Sequence, residues 1–509
     1  MLAGHDRCTY PHFHVGWAGR RHDARSVRPD ERSRKVTLMS DANTQEGPVS
    51  TEEEEEEDWT KFADAGYGSA YDPWSDLVQH EPEEPLQEQF EDDEHWEVSP
   101  APSAAGIAHL VRIGSCDHCL TRLSGGRLAW SSAAEDGAAI RARTLEVESS
   151  LSIDESVDCC PFCEDLFADL DLLVTRTVDK LAGVEFTRVQ LGSHFAKDHI
   201  AEEEELRTRH GAQGSRGLKA GFVEAFADRL RVEYPSVKVV KERPQVMLLV
   251  DTLTLEVKAD IRSLYLYGRY RKLERGIPQT RWPCRACRGR GGGCESCAGS
   301  GLQYPDSVQD LIGEPLRRLF GAADTSFHGM GREDIDVRCL GSGRPFVIEL
   351  KSPLKRTADH SELIELVNDE AGGRVEVLDL RASKRPEVAR IKQTAAEKSY
   401  TICFSYEGDL DADEVERQVL SLAGETLYQQ TPNRVSHRRA DKVRERKVVS
   451  ITNVVVEPPE VQLCVRAESG TYVKELIHSD EGRTTPSITE RLGVPCEVLW
   501  LDVEEVHAD

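Results

Sequence analysis

Phe327-His328-Gly329-Met330-Gly331-Arg332-Glu333-Asp334-Ile335-Asp336-Val337-Arg338 is the stretch on which the reading of this chain turns. It leads through Gly341-Ser342-Gly343-Arg344-Pro345 into the strand-like Phe346-Val347-Ile348-Glu349-Leu350-Lys351. Glycine supplies the left-handed backbone that tight turns between strands require. On composition alone Asp334 belongs to a solvated polar loop, because aspartates are mostly exposed.

Working outward, strand pattern recurs at 346–350, 375–380, 400–405, 448–456, 461–465 and 498–503, interleaved with helical pattern at 308–320, 387–397 and 412–422. That mixture predicts an α+β domain over 302–509. Upstream, 246–250 and 253–261 alternate as strands and 166–181 reads as helix. The predicted organisation is multidomain: a disordered acidic leader at 1–105, a zinc-binding domain at 106–195, an RNA-binding region at 196–282, a Cys/Gly zinc knuckle at 283–301 and the α+β domain.

The formal charge of -27 argues against a nucleic-acid partner until its distribution is examined. Residues 40–98 hold 21 acidic side chains against the single cation Lys61. The body is only mildly acidic and can carry a basic groove, since binding responds to the local field. The leader has little from which to build a core, which predicts disorder. Its charge switches from basic to acidic at Met39, which suggests translation starting there. No run approaches the roughly 20 apolar residues of a membrane span, and residues 1–38 lack the apolar segment of a secretory signal. A cytoplasmic location is expected.

Fourteen cysteines include four Cys-x-x-Cys pairs, a spacing that in an intracellular chain points to zinc before disulfide. Cys116, Cys119, Cys160 and Cys163 make one candidate tetrahedral site. Cys284, Cys287, Cys294 and Cys297 make the second, as two copies of Cys-x-x-Cys-x-Gly-x-Gly whose glycines let backbone N–H groups turn toward the sulfurs. Structural zinc at one or two sites is expected, with no organic cofactor. The repeat also resembles chaperone zinc regions, although it occurs only twice and no His-Pro-Asp signature accompanies it.

Two stretches interleave aromatics or polar groups with cations: Tyr265-Leu266-Tyr267-Gly268-Arg269-Tyr270-Arg271-Lys272, echoed by Gln279-Thr280-Arg281-Trp282, and the basic segment from Asn433 to Lys447. Aromatic faces stack on unpaired bases while cations track phosphates. Tyr267, Arg269, Arg434, Arg438 and Arg439 are therefore candidate RNA contacts.

The loop at 331–338 resembles the Gly-Arg-Glu-Asp-x-Asp-Val-Arg signature of archaeal and eukaryotic tRNA pseudouridine synthases that act on uridines 54 and 55 of the T arm. Lys398-Ser399-Tyr400, the block from Arg434 to Arg439, Gly470-Thr471-Tyr472-Val473-Lys474-Glu475-Leu476 and Gly482-Arg483-Thr484-x-Pro486 follow in the family's order. The first cysteine pairs and Gly268-Arg269-Tyr270-Arg271-Lys272 match the family's THUMP-containing N-terminal part, so the resemblance covers about 107–509. It implies a THUMP-like region at 196–282 and a synthase domain built on a mixed β-sheet flanked by helices. It also implies Asp334 as catalytic carboxylate, Lys474 as the cation paired with it and Tyr400 beside the target base, with Asp336 a structural carboxylate of the loop. Arg332 and Arg344 join the expected substrate contacts, and Leu476 and Leu501 would exclude solvent. The implied partner is the T arm of tRNA, with neither membrane nor protein partner. Two rival readings are another THUMP-containing tRNA-modifying enzyme and a non-catalytic zinc-containing tRNA-binding protein. The first needs a donor-binding loop, and no Gly-x-Gly-x-x-Gly follows a strand. Acidity with arginine in excess over lysine suggests a salt-loving archaeal source.

Overall fold

The computed structural model describes residues 104–125, 133–153, 158–212, 215–290, 292–438 and 440–508. The expected leader disorder, the Met39 start and Arg439 lie outside the described residues, as does the side chain of Arg438.

Four strands make the first sheet: β1 (Arg188–His194), β2 (Lys238–Val239), β3 (Val246–Asp251) and β4 (Glu256–Ile261), in the order β2-β1-β3-β4. β1 runs parallel to β2 and β3, whereas β3 and β4 form an antiparallel hairpin. The Asp251 carboxylate turns that hairpin by accepting the N–H groups of Leu253 and Thr254 at 3.1 and 3.0 Å. Helix Leu218–Glu233 buries Leu218, Phe222, Phe226 and Leu230, a four-residue spacing that lines one face. These side chains share a core with Val189, Val246 and Leu248, and also with Cys119, Cys160 and Cys163. The expected boundary at 195 is thus not a boundary in space, because β1 needs β3 for its ladder.

Ten strands make the second sheet: β5 (Leu264–Lys272), β6 (Asp324–Gly329), β7 (Arg338–Lys351), β8 (Val375–Ser383), β9 (Glu397–Tyr406), β10 (Thr426–Gln430), β11 (Val443–Glu457), β12 (Glu460–Ala467), β13 (Thr484–Thr485) and β14 (Cys496–His507). Their order is β13-β10-β11-β12-β9-β14-β7-β5-β8, with β6 pairing β7. Alternation along β7 divides its side chains between two cores. Phe346, Ile348 and Leu350 face one, while Cys339 and Val347 face the other. A slip of one residue would exchange the two sets, so the register is strongly specified.

Helix Val308–Phe320 covers the first face, burying Val308, Ile312, Leu316 and Phe320 at four-residue intervals. Ser307 caps its N-terminus by accepting the Asp310 N–H, and Gly321 ends it at φ +60°. β5 lies between β7 and β8. The expected RNA-binding region at 196–282 is therefore cut near residue 262, and its last strand belongs to the second sheet. No helix among the described residues is long and apolar enough to cross a membrane.

Candidate functional site

Between β6 and β7 the chain turns at Gly331, φ +78°, and sends two neighbouring carboxylates in opposite directions. Glu333 points inward. Its side chain is fully buried, pairs with the buried guanidinium of Arg344 at 2.9 Å and accepts the Tyr270 hydroxyl at 2.8 and 3.0 Å. Burial opposes the Arg344 charge, but Glu333 beside it raises the pKa beyond the ordinary arginine value. Burial, reinforced by Glu333, likewise pushes the Tyr270 phenol well above its usual range.

The main chain of the loop is held at five of its carbonyls. Arg344 Nη1 donates to Met330 O at 2.7 Å, Gln279 Nε2 to Gly331 O at 3.1 Å, and Lys272 Nζ to Asp334 O and Ile335 O at 3.1 and 3.2 Å. Gly276 N–H reaches Ile335 O at 2.8 Å, and Arg275 Nη1 reaches Asp336 O at 2.9 Å. Such a framework fixes the direction in which Asp334 projects, which is what a preorganised reactive group needs.

Asp334 points outward, its side chain about one-third exposed (36%), and two cations face it. Arg434 Nη1 donates to Asp334 Oδ2 at 2.9 Å, and Lys474 Nζ lies 3.5 Å from the same oxygen. Lys474 is closer to Asp336, at 2.8 and 3.0 Å. The expected Lys474–Asp334 pair is thus present but secondary, because Asp336 competes for the ammonium and Arg434 is the nearer cation at Asp334. Burial works against the Asp336 charge, yet Lys474 outweighs it and lowers that carboxyl below its ordinary range.

Lys474 stands on helix Val473–His478, whose entrance is clamped by buried Gln429 of β10. The Gln429 amide accepts from Tyr472 N and donates to Tyr472 O, both at 2.9 Å. Arg434 comes from the turn Asn433–Arg438, which follows β10. Three segments distant in sequence therefore converge on one carboxylate.

Tyr400 on β9 packs against the second core, where Leu476 and Leu501 are buried. Burial pushes its phenol up to about 12, opposed by the neighbouring Arg344 guanidinium. Among the described residues no hydrogen bond joins Tyr400 to Asp334 or Lys474. The Arg344 guanidinium that braces the loop is near enough to act electrostatically on the Tyr400 phenol.

Several expected RNA contacts are placed otherwise. Arg344 is buried under the loop and braces it. Tyr267 is buried beneath the Arg381 guanidinium, 4.1 Å from its ring centroid. Arg269 donates to Ser342 O and Oγ, Gly343 O, Val506 O and Ala508 O, so it ties β14 to the β7 turn. The physical reason is that β5 is an interior strand of the sheet, so its aromatics and cations are claimed by protein on both sides. Arg332 remains exposed, its guanidinium 5.2 Å from the Trp282 ring centroid. Sequence reasoning missed Glu333 and Glu475 and assigned Lys272 and Gln279 to an RNA face. Their only local signal is a charged or amide side chain inside apolar alternation.

Both cysteine clusters are assembled. In each, four sulfurs lie within 4.8 Å of one another. Cys116 and Cys163 are separated by 3.6 Å, and Cys284–Cys294 and Cys287–Cys297 by 3.8 Å. A zinc tetrahedron with sulfurs at about 2.3 Å has edges of about 3.8 Å, so the clusters fit that ion. In the first, Cys116 N–H points at Cys160 Sγ and the buried Arg122 at Cys119 Sγ, both suited to thiolates. All thirteen described cysteines are free of disulfides.

Fold and site together define an α+β protein that presents one carboxylate, between two cations, on a braced loop over a mixed sheet. Residues 265–507 match the family described as Pus10, C-terminal. A protein of Halorubrum lacusprofundi named tRNA pseudouridine synthase Pus10 is 38% identical over 403 residues, covering 77% of this chain and 93% of the relative. One of the same name from Methanothermobacter marburgensis is 40% identical over 399 residues, covering 77% and 94%. The chain belongs to the Pus10 family.

Proposed function

We propose that this enzyme, a tRNA pseudouridine synthase by its family, isomerises uridine 54, uridine 55 or both in the T arm, with Asp334 as the catalytic carboxylate. The observation that carries the residue assignment is the split at the loop. Glu333 is spent inward on Arg344 and Tyr270, and Asp336, the most exposed of the three, pairs with Lys474, whereas Asp334 meets Arg434 as well as Lys474.

Pseudouridylation breaks the C1′–N1 bond of uridine and joins C1′ to C5, and a carboxylate serves it as nucleophile or as stabiliser of a glycal-forming step. The target nucleotide must leave the stack to reach Asp334. Arg434 and Lys474 orient the carboxylate oxygens. Tyr400 stays protonated near neutral pH, so its part is to stack on uracil or donate a hydrogen bond, not to act as a phenolate base. Leu476 and Leu501 form the dry floor. Exposed Arg332 and the basic segment after residue 433 supply phosphate contacts, and the eight clustered cysteines hold structural zinc.

Unmodified tRNA transcript incubated with the purified chain and no added cofactor should acquire pseudouridine at position 54 or 55, mapped at single-nucleotide resolution. Pseudouridine outside the T arm, or none, would contradict the proposal.

A further inference from the structure

We infer that Glu475 is a positioning residue for the isomerisation and acts through Arg434, an inference that rests on Asp334 being the catalytic carboxylate. Glu475 follows Lys474 on helix Val473–His478 and is 1% exposed, among Val473, Leu476 and Ile477. A carboxylate in such surroundings is strongly disfavoured unless a cation meets it. Arg434 does so with two nitrogens, Nε at 2.7 Å and Nη2 at 3.3 Å from the carboxylate. Its remaining terminal nitrogen, Nη1, donates to Asp334 at 2.9 Å.

The guanidinium is a rigid planar fork, so fixing two of its nitrogens fixes where the third one points. Glu475 thereby sets the direction of the Arg434–Asp334 hydrogen bond from the side away from solvent. The same short helix aims Lys474 at Asp336 and Asp334. One element thus controls both cations at the reacting carboxylate, one directly and one by proxy. A lysine at 434 could not span both carboxylates in this manner, because its charge sits on one nitrogen.

The test is a double-mutant cycle on single-turnover isomerisation at saturating tRNA, with tRNA affinity measured alongside. Glu475→Gln, close in shape, should slow the step about tenfold, the scale of one charge-assisted hydrogen bond, and leave affinity unchanged. In an Arg434→Ala background the same substitution should bring no further loss, since there is no guanidinium left to direct. An equal loss in both backgrounds, or a loss in affinity alone, would overturn the inference. Should Glu475→Gln fail to fold, Arg434→Lys leaves Glu475 a partner and carries the same expectation, and native turnover in it would overturn the inference. Asp334→Asn run in parallel separates the two levels. If it turns over, the catalytic assignment and this inference both fall; if it is inactive while the cycle is additive, only this inference falls.

Discussion

Lys398 shows how much charge the floor of the site tolerates. It is 9% exposed, and its ammonium donates to Ala396 O at 3.0 Å. Burial, aided by the Arg344 guanidinium, lowers it from an ordinary 10.5 to about 8. Below pH 8 the folded chain therefore buries a charge that the unfolded chain solvates, and stability is reduced. Between about 8 and 10.5 the unfolded state binds more protons than the folded one, so this penalty fades as pH rises. Lys398→Met should consequently be more stable than the native chain below pH 8, by on the order of 3 kcal/mol at most, with the difference shrinking through that window. Denaturant titrations at pH 7 and pH 10 check it, and a pH-independent difference would contradict it. At this scale the sequence was only partly legible. Asp334, Tyr400 and Lys474 stand out in the sequence through the motifs that carry them, but Glu333 and Glu475 look like any surface carboxylate until Arg344, Tyr270 and Arg434 arrive from elsewhere in the chain.

β5 is the element at which sequence expectation and structure differ most. Its aromatic and cationic residues match an RNA-stacking stripe and equally match an interior strand with both faces covered, and local sequence does not distinguish the two. Gly268 decides physically for the strand. A Cβ there would stand 2.4 Å from Asp379 O and 2.9 Å from the Phe346 ring, so β5, β7 and β8 close up only around a bare backbone. Gly268→Ala should destabilise the chain by about 1–3 kcal/mol through overpacking, seen as a lower denaturation midpoint. An unchanged midpoint would show that the three strands have slack. The strands at 400–405, 461–465 and 498–503 were readable because alternation is clear there; they extend to β9, β12 and β14 by four, three and six residues where charged positions hide the pattern. The helix Leu218–Glu233 was missed although its apolar positions are periodic.

For the whole molecule, composition located the cysteine clusters and the α+β half, because ligand spacing and apolar periodicity are local. Domain limits were less legible. The first cysteine cluster and the first sheet share one core, and β5 crosses into the second sheet, since strand pairing is decided by partners distant in sequence. What the architecture delivers is a carboxylate, Asp334, set between Arg434 and Lys474 by loop, helix and turn. The most direct measurement is turnover of unmodified tRNA by Asp334→Asn, an uncharged near-isostere, with tRNA affinity and thermal midpoint followed in the same preparation. Pseudouridine formation should be lost, with affinity and folding close to native. Sustained pseudouridine formation by a folded Asp334→Asn protein would contradict it.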